Sequence, residues 1–235
     1  MTNRESQARA LLARGELFSR LSADELDRLV RLARMRRLPA RSIVFRKGDA
    51  GREMYAIASG RIRISRESED GREIALGILE AGDLFGEISL LDGAPRTATC
   101  TTIEPAALLV IGRPEFLDLL DQTPALAVKL LEILAARLRL TDQLLEDTLF
   151  LNLGSRLAKM LLTLAERCGR PTEEGVEIDL RLSQQELGNL VAASRESVNK
   201  QLKAWEGEAM IGSRGGRLVV RDSERLRAVA ESITS

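Results

Sequence analysis

The residues best suited to bind a small anion lie together in the segment 86–97. Gly86 lets the backbone approach a ligand closely, and a helical turn beginning near Glu87 would direct N–H groups towards an anion. Arg96 can bind phosphate oxygens through its planar guanidinium, and the Thr97 hydroxyl adds another hydrogen bond. Beside an anion Glu87 needs its own donor, such as a ribose hydroxyl. These residues suit a nucleotide, although a plain glycine turn with a Glu87–Arg96 ion pair would use them equally well.

The sequence around these residues resembles the phosphate-binding cassette of cyclic-nucleotide-binding domains. The stretch FGEISLLDGAPRTAT carries the likeness, and KGDAGREMYAIASGRIRI before it resembles the glycine-spaced roll of the same domains. The resemblance implies that Glu87 binds the ribose 2′-hydroxyl and that Arg96 and Thr97 bind the cyclic phosphate. It also implies, by position, that Gly86 and Ile88 belong to the ligand site.

Three residues of a long predicted helix extend this site. Arg137 and Thr141 are spaced so that both can face the roll. The whole chain resembles the CRP branch of the CRP/FNR superfamily, in which an arginine and a threonine at these positions support the cassette glutamate and the purine amino group. The next position, a serine in the best-known member, is Asp142 here.

The base of the ligand depends on where Asp142 points. A carboxylate can accept both N1–H and N2–H of guanine, whereas adenine offers only its N6 amino group. The resemblance implies cyclic AMP (cAMP) as the allosteric ligand. Asp142 keeps cGMP open as an alternative if its side chain reaches the base, and another ligand, such as a cyclic dinucleotide, also stays open.

A second set of polar residues, near the end of the chain, suits DNA bases. Ser183 and Glu186 form a capping box that opens a short helix, and Ser194 can cap another helix after a tight Ala192–Ala193 turn. Such a pair of helices is a helix-turn-helix. Four polar residues fall on one exposed face of the second helix: Arg195, Glu196, Asn199 and Lys200.

The residue types on this face fit base edges in a major groove. Arginine suits guanine, a carboxylate suits cytosine N4, and lysine can reach guanine or phosphate. A solvated helix face with a Glu196–Lys200 ion pair is the alternative. The stretch LSQQELGNLVAASRESVNKQLKAWE is similar to the CRP-type helix-turn-helix. The resemblance implies that Arg195, Glu196 and Lys200 read a half-site like TGTGA, with Lys200 standing where the best-known member has arginine.

The elements that hold these two sites predict an α+β fold. Alternating apolar runs between glycines, from Ser42 to about Arg113, indicate a compact antiparallel barrel or roll, here a jelly-roll-like β-roll. A capping box at Ser22 and Glu25 opens an amphipathic helix before it. Residues 211–220 are typical of the wing of a winged helix, and Arg214 and Arg217 are candidates for phosphate contacts there. Ala209 stands where relatives usually carry glycine.

A row of apolar residues near heptad spacing follows Pro124 and predicts a long dimerisation helix. Its members are Leu130, Leu134, Leu138 and Leu145, and the hydroxyl of Thr141 interrupts the row. Packing of this helix on the roll of its own subunit is the alternative to a homodimer. A hinge is expected at Asn152–Gly154, and residues 168–177 are expected to be a surface loop, in the region through which relatives touch RNA polymerase. The predicted domains are 1–124 (cyclic-nucleotide-binding β-roll with N-terminal helix), 125–153 (dimerisation helix and hinge) and 154–235 (winged helix-turn-helix DNA-binding domain).

Composition excludes several other kinds of protein. The 235 residues include no histidine and two cysteines, so the usual zinc, haem and iron–sulfur ligand sets and the Ser-His or Cys-His catalytic pairs are missing. We therefore expect no metal and no enzyme. No apolar run approaches the ~18 residues of a membrane span, so we expect a cytoplasmic protein without membrane contact. The formal charge of +0 argues only against a generally basic surface.

Together these features predict a cyclic-nucleotide-responsive transcription regulator. Ligand binding would place two recognition helices about one helical turn apart on a palindromic operator in double-stranded DNA. A ligand-independent DNA binder is one alternative, which the intact Glu87, Arg96 and Thr97 count against. A cyclic-nucleotide-binding regulatory subunit that acts on a protein partner is another, and it leaves Arg195 and Glu196 unexplained.

Overall fold

The computed structural model of the chain describes residue 9, residues 22–69 and residues 71–232. The chain divides into two compact units. The first contains the described residues of Met1–Asp70 and Leu76–Arg139, and the second those of Gly71–Ala75 and Leu140–Ser235. The division falls inside the long helix, and the predicted boundaries at residues 124 and 153 stay predictions.

Eight of the described strands form two four-stranded sheets, whose described pairings are antiparallel. One sheet contains β1 (Arg34–Leu38), β3 (Glu53–Ser59), β6 (Leu84–Phe85) and β8 (Ala106–Gly112), in the order β1-β8-β3-β6. The other contains β2 (Ile43–Phe45), β4 (Ile62–Glu67), β5 (Glu73–Leu79) and β7 (Thr99–Thr102), in the order β2-β7-β4-β5. The predicted β-roll is therefore confirmed.

The central strand β3 is buried on both of its faces. Successive side chains of a strand point to opposite sides. Tyr55 and Ile57 pack on one side with residues of both sheets, while Met54 and Ala56 pack on the other against helices. These helices are α1 (Ala23–Leu32), α2 (Glu87–Asp92), α3 (Arg113–Gln122) and the first turns of α4 (Pro124–Phe150). Helices on one face and a second sheet on the other give the roll a rigid frame.

The capping box predicted for α1 is present. The Ser22 amide donates to the Glu25 carboxylate at 2.8 Å, and Ser22 Oγ accepts from the Glu25 amide at 3.4 Å. Hydrogen bonds from the backbone and side chain of Ser22 lower the pKa of Glu25. The chain then enters β1 directly, a strand that the sequence did not predict. The arginines of β1 obscure the alternation of apolar and polar residues that marks a strand. They are tolerated because β1 lies at a sheet edge and is held by backbone pairing, such as Arg36 with Leu108.

The leucines of the 27-residue helix α4 fall into two groups, one packed against the core and one exposed. Leu130 is buried and Leu134 packs against the core of the first unit, as in the alternative considered for this helix. Further along, Leu138 and Leu145 are 62% and 59% exposed. The later part of the predicted row therefore forms an apolar surface. In the described part of this chain, these side chains stay exposed. Asn152 interrupts the helix and caps α5 (Leu153–Cys168) by accepting from the Ser155 amide at 2.9 Å.

The second unit contains the predicted winged helix-turn-helix. Its further helices are α6 (Gln184–Leu190), α7 (Arg195–Gly207) and α8 (Ser223–Glu231). Its sheet has the order β11-β12-β10-β9 and contains β9 (Gly169–Thr172), β10 (Gly175–Ile178), β11 (Ile211–Arg214) and β12 (Arg217–Val220). The expectation of a surface loop at 168–177 is therefore wrong. Residues 169–178 form a hairpin because β12 supplies distant backbone partners, pairing Val220 with Val176.

None of the helices in the described ranges has both the length and the apolar character that a membrane crossing requires. The same ranges contain no cluster of cysteine and carboxylate side chains placed to hold a metal ion.

Candidate ligand pocket and nucleic-acid interface

Gly86 is required at the start of the cassette for two reasons. Its φ is +82°, a left-handed conformation that favours glycine. A Cβ atom there would lie 2.7 Å from Nη1 of Arg96 and 3.3 Å from the backbone oxygen of Glu53. Helix α2 begins at Glu87, as predicted, and Gly93 ends it at φ +74°. The tight entry to α2 lets Arg96 lie directly against the backbone.

Arg96 is held inside the roll and is only 4% exposed. Its Nη1 donates to the Gly86 oxygen at 2.8 Å, and its Nη2 donates to the Glu53 oxygen at 2.6 Å. In the described part of the chain, the buried Nε has no hydrogen-bond partner. A buried donor without a partner costs about 1–3 kcal/mol. Arg96 therefore has a cationic donor ready for an anion.

Aromatic rings pack against the Arg96 guanidinium. Its central carbon lies 4.1 Å from the centroid of the Phe45 ring, within the range of a cation–π contact. Phe45 also packs on Tyr55 and Phe85, with ring centroids 5.7 and 5.9 Å apart. Burial raises the pKa of Tyr55, whose hydroxyl donates to the Glu53 carboxylate at 3.0 Å. Sequence reasoning missed Phe45, Glu53 and Tyr55, because no spacing in the chain indicates that the two strands β2 and β3 bring them to Arg96.

Glu87 is 1% exposed and is paired with Arg137 of α4. Nη1 of Arg137 lies 2.5 Å from Oε1 of Glu87, and Nη2 donates to the Leu84 backbone oxygen. The alternative considered from sequence, a Glu87–Arg96 ion pair, is not what the structure forms. Arg96 donates to backbone oxygens, and the glutamate is neutralised from the long helix. The structure thus brings Gly86, Glu87, Arg96 and Arg137 together.

The other predicted ligand residues are placed less centrally. Thr97 is partly buried next to Arg96, and its backbone oxygen accepts from Nε of Arg66 at 2.9 Å. Ile88 is 42% exposed on α2. Thr141 and Asp142 are exposed on the part of α4 that belongs to the second unit. Contacts of these four residues with a ligand stay predictions.

The helix-turn-helix is built by the local signals that the sequence predicted. Ser183 and Glu186 form the capping box of α6, with the Ser183 amide 2.8 Å from the Glu186 carboxylate. The turn places Ala192 at φ +51°, and the Ala193 amide donates to the Gly188 oxygen at 2.9 Å. Ser194 then caps α7 by accepting from the Ser197 amide at 3.1 Å.

The predicted DNA-reading residues line one surface of α7. Arg195, Glu196 and Lys200 are exposed, and no ion pair joins Glu196 to Lys200 in the described ranges. The opposite face of α7 buries Val198, Leu202 and Trp205. Asn199 is partly buried and lies in a shallow depression, which is lined by Gln184, Ser194, Arg195, Glu196 and Asn199. Sequence reasoning missed Gln184, whose place in this depression depends on the packing of α6 on α7.

The structure around the wing supports the expectation about Ala209 and weakens the expectation that Arg217 contacts phosphate. Ala209 has φ +57°, which explains why glycine suits its position. Arg217 is turned towards the sheet, with Nη2 3.3 Å from Asp179 and Nη1 4.0 Å from Glu177. It is therefore engaged by carboxylates of its own unit, which makes a phosphate contact less favourable. Arg214 is exposed at the tip of β11.

Comparison with known proteins covers both units. Residues 35–123 match the family model of the cyclic nucleotide-binding domain, and residues 155–229 match that of the Crp-like helix-turn-helix domain. The CRP-like cAMP-activated global transcriptional regulator of Mycobacterium tuberculosis is 35% identical over 216 residues, which are 92% of this chain and 96% of that protein. The cyclic AMP receptor protein of Thermus thermophilus is 33% identical over 214 residues, 91% of this chain and 96% of that protein.

A solved structure gives the same result for the fold. The c-di-GMP-responsive global regulator CLP of Xanthomonas campestris superimposes with a TM-score of 0.76 at 28% identity. The superposition covers 85% of this chain and 99% of that one. Both units therefore have counterparts within one known protein.

Proposed function

The chain belongs to the CRP-like family of cyclic-nucleotide-responsive, DNA-binding transcription regulators, and from this membership we propose that its allosteric ligand is cAMP. Members of this family bind DNA, act as dimers and are not enzymes. Two relatives that each match about nine-tenths of this chain are named for cAMP. The roll binds the nucleotide, and the helix-turn-helix binds a palindromic operator.

The observation that carries this proposal is the pair of buried charges, Arg96 and Glu87. Nε of Arg96 has no partner in the described chain, and a cyclic phosphate would supply one with a charge-assisted bond. Thr97 adds its hydroxyl to the same phosphate. Glu87 uses Oε1 for Arg137, and Oε2 accepts from a ribose 2′-hydroxyl. An arginine and a carboxylate placed in this way select a phosphate with a sugar hydroxyl.

Coupling to DNA runs through Arg137 and helix α4. A ribose hydroxyl on Oε2 of Glu87 shares the carboxylate with Arg137, which holds Oε1, and so links the nucleotide to α4. The C-terminal end of α4 contacts α5, since Lys159 Nζ lies 2.7 Å from Asp147 Oδ1. Asn152 caps the N-terminus of α5. Ligand binding then selects one arrangement of this junction, the predicted hinge, over others.

In this proposal Thr141 reads the base of the nucleotide, and the neighbouring Asp142 decides whether guanine is accepted. A threonine hydroxyl accepts from the adenine amino group, whereas an Asp142 carboxylate that reached the base would favour guanine. The regulator CLP, which is similar in structure, is named as responsive to c-di-GMP. Ligands with guanine are therefore the competitors that an experiment has to include.

On DNA, Arg195, Glu196, Asn199 and Lys200 of two subunits read the two halves of a TGTGA-like palindrome. The leucine surface at Leu138 and Leu145 pairs the subunits into a homodimer. The hairpin at 169–178 faces RNA polymerase at the promoter. Operator binding requires the protein to share a compartment with the DNA, so the cytoplasmic location belongs to the same proposal.

Calorimetric titration of the purified dimer measures which nucleotide it binds most tightly. We expect cAMP to bind more tightly than cGMP or c-di-GMP, and we expect saturating cAMP to increase affinity for a palindromic operator in a gel-shift assay. Asp142→Ser should leave cAMP binding unchanged and weaken any cGMP binding. Operator affinity that is equal with and without each of the three nucleotides would rule out the proposed control.

A further inference from the structure

One hydrogen bond joins the two helices of the helix-turn-helix at the DNA-reading surface. Nε2 of Gln184, the first residue of α6, donates to Oδ1 of Asn199 on α7 at 2.8 Å. Both side chains are partly buried in the depression that Arg195 and Glu196 also line. The amide of Asn199 is therefore held by a residue outside the recognition helix.

Both ends of this bond are fixed by local structure. Gln184 follows Ser183, whose capping box with Glu186 sets the first turn of α6. On the other side, Ser194 caps α7, and Asn199 follows in its second turn. The contact between Gln184 and Asn199 thus belongs to the frame of the motif and does not depend on a mobile surface side chain.

The bond decides which group Asn199 shows to DNA. An asparagine amide can turn over and exchange its acceptor Oδ1 for its donor Nδ2. While Gln184 donates through Nε2, Oδ1 of Asn199 faces it, and the Asn199 amide can turn over only if the Gln184 amide turns over as well. Nδ2 and the second lone pair of Oδ1 then remain for a base. Donation to N7 combined with acceptance from N6–H is the pattern of asparagine on adenine.

We propose that Gln184 is a positioning residue that fixes the Asn199 amide so that Asn199 reads an adenine in each operator half-site. The inference rests on the proposed function, in which α7 lies in the major groove. Asn199 comes about one helical turn after Arg195, roughly 6 Å along the axis at 1.5 Å per residue. It meets a base pair next to those that Arg195 and Glu196 read.

The test uses full-length protein with saturating cAMP. An operator is first selected in vitro from a randomised duplex library, and each of its base pairs is then replaced in turn. Affinities are measured for wild type, Asn199→Ala, Gln184→Ala and Gln184→Glu. The matched control is Gln185→Ala, because the neighbouring Gln185 makes the same kind of bond, at 2.9 Å, to Asn189 rather than to the recognition helix.

For wild type we expect replacement of one A·T pair per half-site to weaken binding about tenfold. Asn199→Ala should abolish the discrimination at that pair alone, and Gln184→Ala should reduce it severalfold at the same pair. Gln184→Glu, whose carboxylate accepts from Nδ2, should turn the amide over and change the preferred base there. Gln185→Ala should leave the base profile unchanged.

Three results would overturn the inference, and they are distinguishable. A Gln184→Ala protein with the wild-type profile, or an Asn199→Ala protein weakened equally at every pair, removes the role of this bond while cAMP-dependent operator binding stands. Failure of wild type to bind any selected operator in a cAMP-dependent manner removes the proposed function as well.

Discussion

The ligand pocket and the DNA-reading surface hold their charged residues in opposite ways. Glu87 and Arg96 are 1% and 4% exposed, and both are engaged by other groups of the protein. On α7, Arg195, Glu196 and Lys200 are exposed, and no ion pair ties Glu196 to Lys200 in the described part of the chain. The pocket is built around its own charges, whereas the DNA surface presents its charges to solvent.

This difference follows from the cost of burying charge. A buried ion without partners is expensive, so the pocket neutralises Glu87 with Arg137. Exposed side chains keep their hydration and need no such partner. A ligand therefore binds charges that the roll already holds in place, while DNA meets side chains that are exposed to solvent. Substitutions of the buried charges in the pocket should affect folding and binding together, and substitutions of the exposed charged side chains of α7 should affect binding alone.

The largest effect is expected for Arg96→Lys. Lysine keeps the charge but loses the planar fork that contacts Gly86 and Glu53, so cAMP affinity should fall by about 100-fold, with charge-assisted bonds contributing ~1.5–3 kcal/mol each. The thermal midpoint should fall as well. Calorimetry and thermal unfolding measure the two changes, and Thr97→Ala is the control, with a loss of about fivefold in affinity and little in stability. A stable Arg96→Lys protein with normal affinity would contradict this account of the pocket.

A smaller loss, confined to DNA, is expected for Arg195→Ala. Operator affinity should fall about 10- to 100-fold, because a good bidentate contact to guanine discriminates by ~1–3 kcal/mol. The cAMP affinity and the thermal midpoint should equal those of wild type, since the side chain is exposed. Fluorescence anisotropy with labelled operator measures the loss. If the variant also unfolded earlier, the proposed separation between binding and stability would not hold for α7.

The two sites also differ in how far the sequence predicts them. The helix-turn-helix depends on contacts close in the chain, so Ser183, Glu186 and Ser194 predicted its caps and its turn correctly. The pocket depends on distant contacts, and nothing near Arg96 in the sequence indicated that Phe45 and Glu53 would surround it.

The misses elsewhere have the same physical origin. Strand β1 and the hairpin at 169–178 are both fixed by backbone pairing with strands far away in the sequence, namely β8 and β12. Gln184 reached the DNA surface only through the packing of two helices. The overall fold was predicted correctly because alternating strands, capping boxes and the resemblance to a known family agreed with one another.

A moderate gain in stability is expected for Ala192→Gly and Ala209→Gly. Both alanines have positive φ, +51° and +57°, where a Cβ atom is unfavourable. Each substitution should raise the free energy of unfolding by roughly 0.5–1 kcal/mol. Urea unfolding checks this value. Ala204→Gly, at an exposed position inside α7, is the matched control and should lower stability by about 0.5–1 kcal/mol. Equal effects at all three positions would show that backbone conformation is not the cause.

The smallest effect concerns the two thiols. Burial raises the pKa of Cys100, which lies at 2% exposure in the core of the roll. Because only the thiolate reacts, Cys100 should resist alkylation in the native protein even near pH 9, while the partly buried Cys168 is modified first. Mass spectrometry of peptides after a timed reaction measures both. Since the unfolded state releases the Cys100 proton more readily, its contribution to stability should be present below pH ~8.5 and decline as the pH rises. Rapid native labelling of Cys100 would contradict its described burial.

The aromatic rings around Arg96 have a consequence for optical measurements. The chain has one tyrosine and one tryptophan. Tyr55 stacks on Phe85 with centroids 5.0 Å apart in the first unit, and Trp205 is buried on α7 in the second. Tryptophan emission therefore comes from the DNA-binding unit, and tyrosine emission, which lies at shorter wavelength, comes from the nucleotide-binding unit. The unmodified protein therefore carries one such fluorophore in each unit. Nucleotide binding and DNA binding can be followed in the same sample without an attached dye.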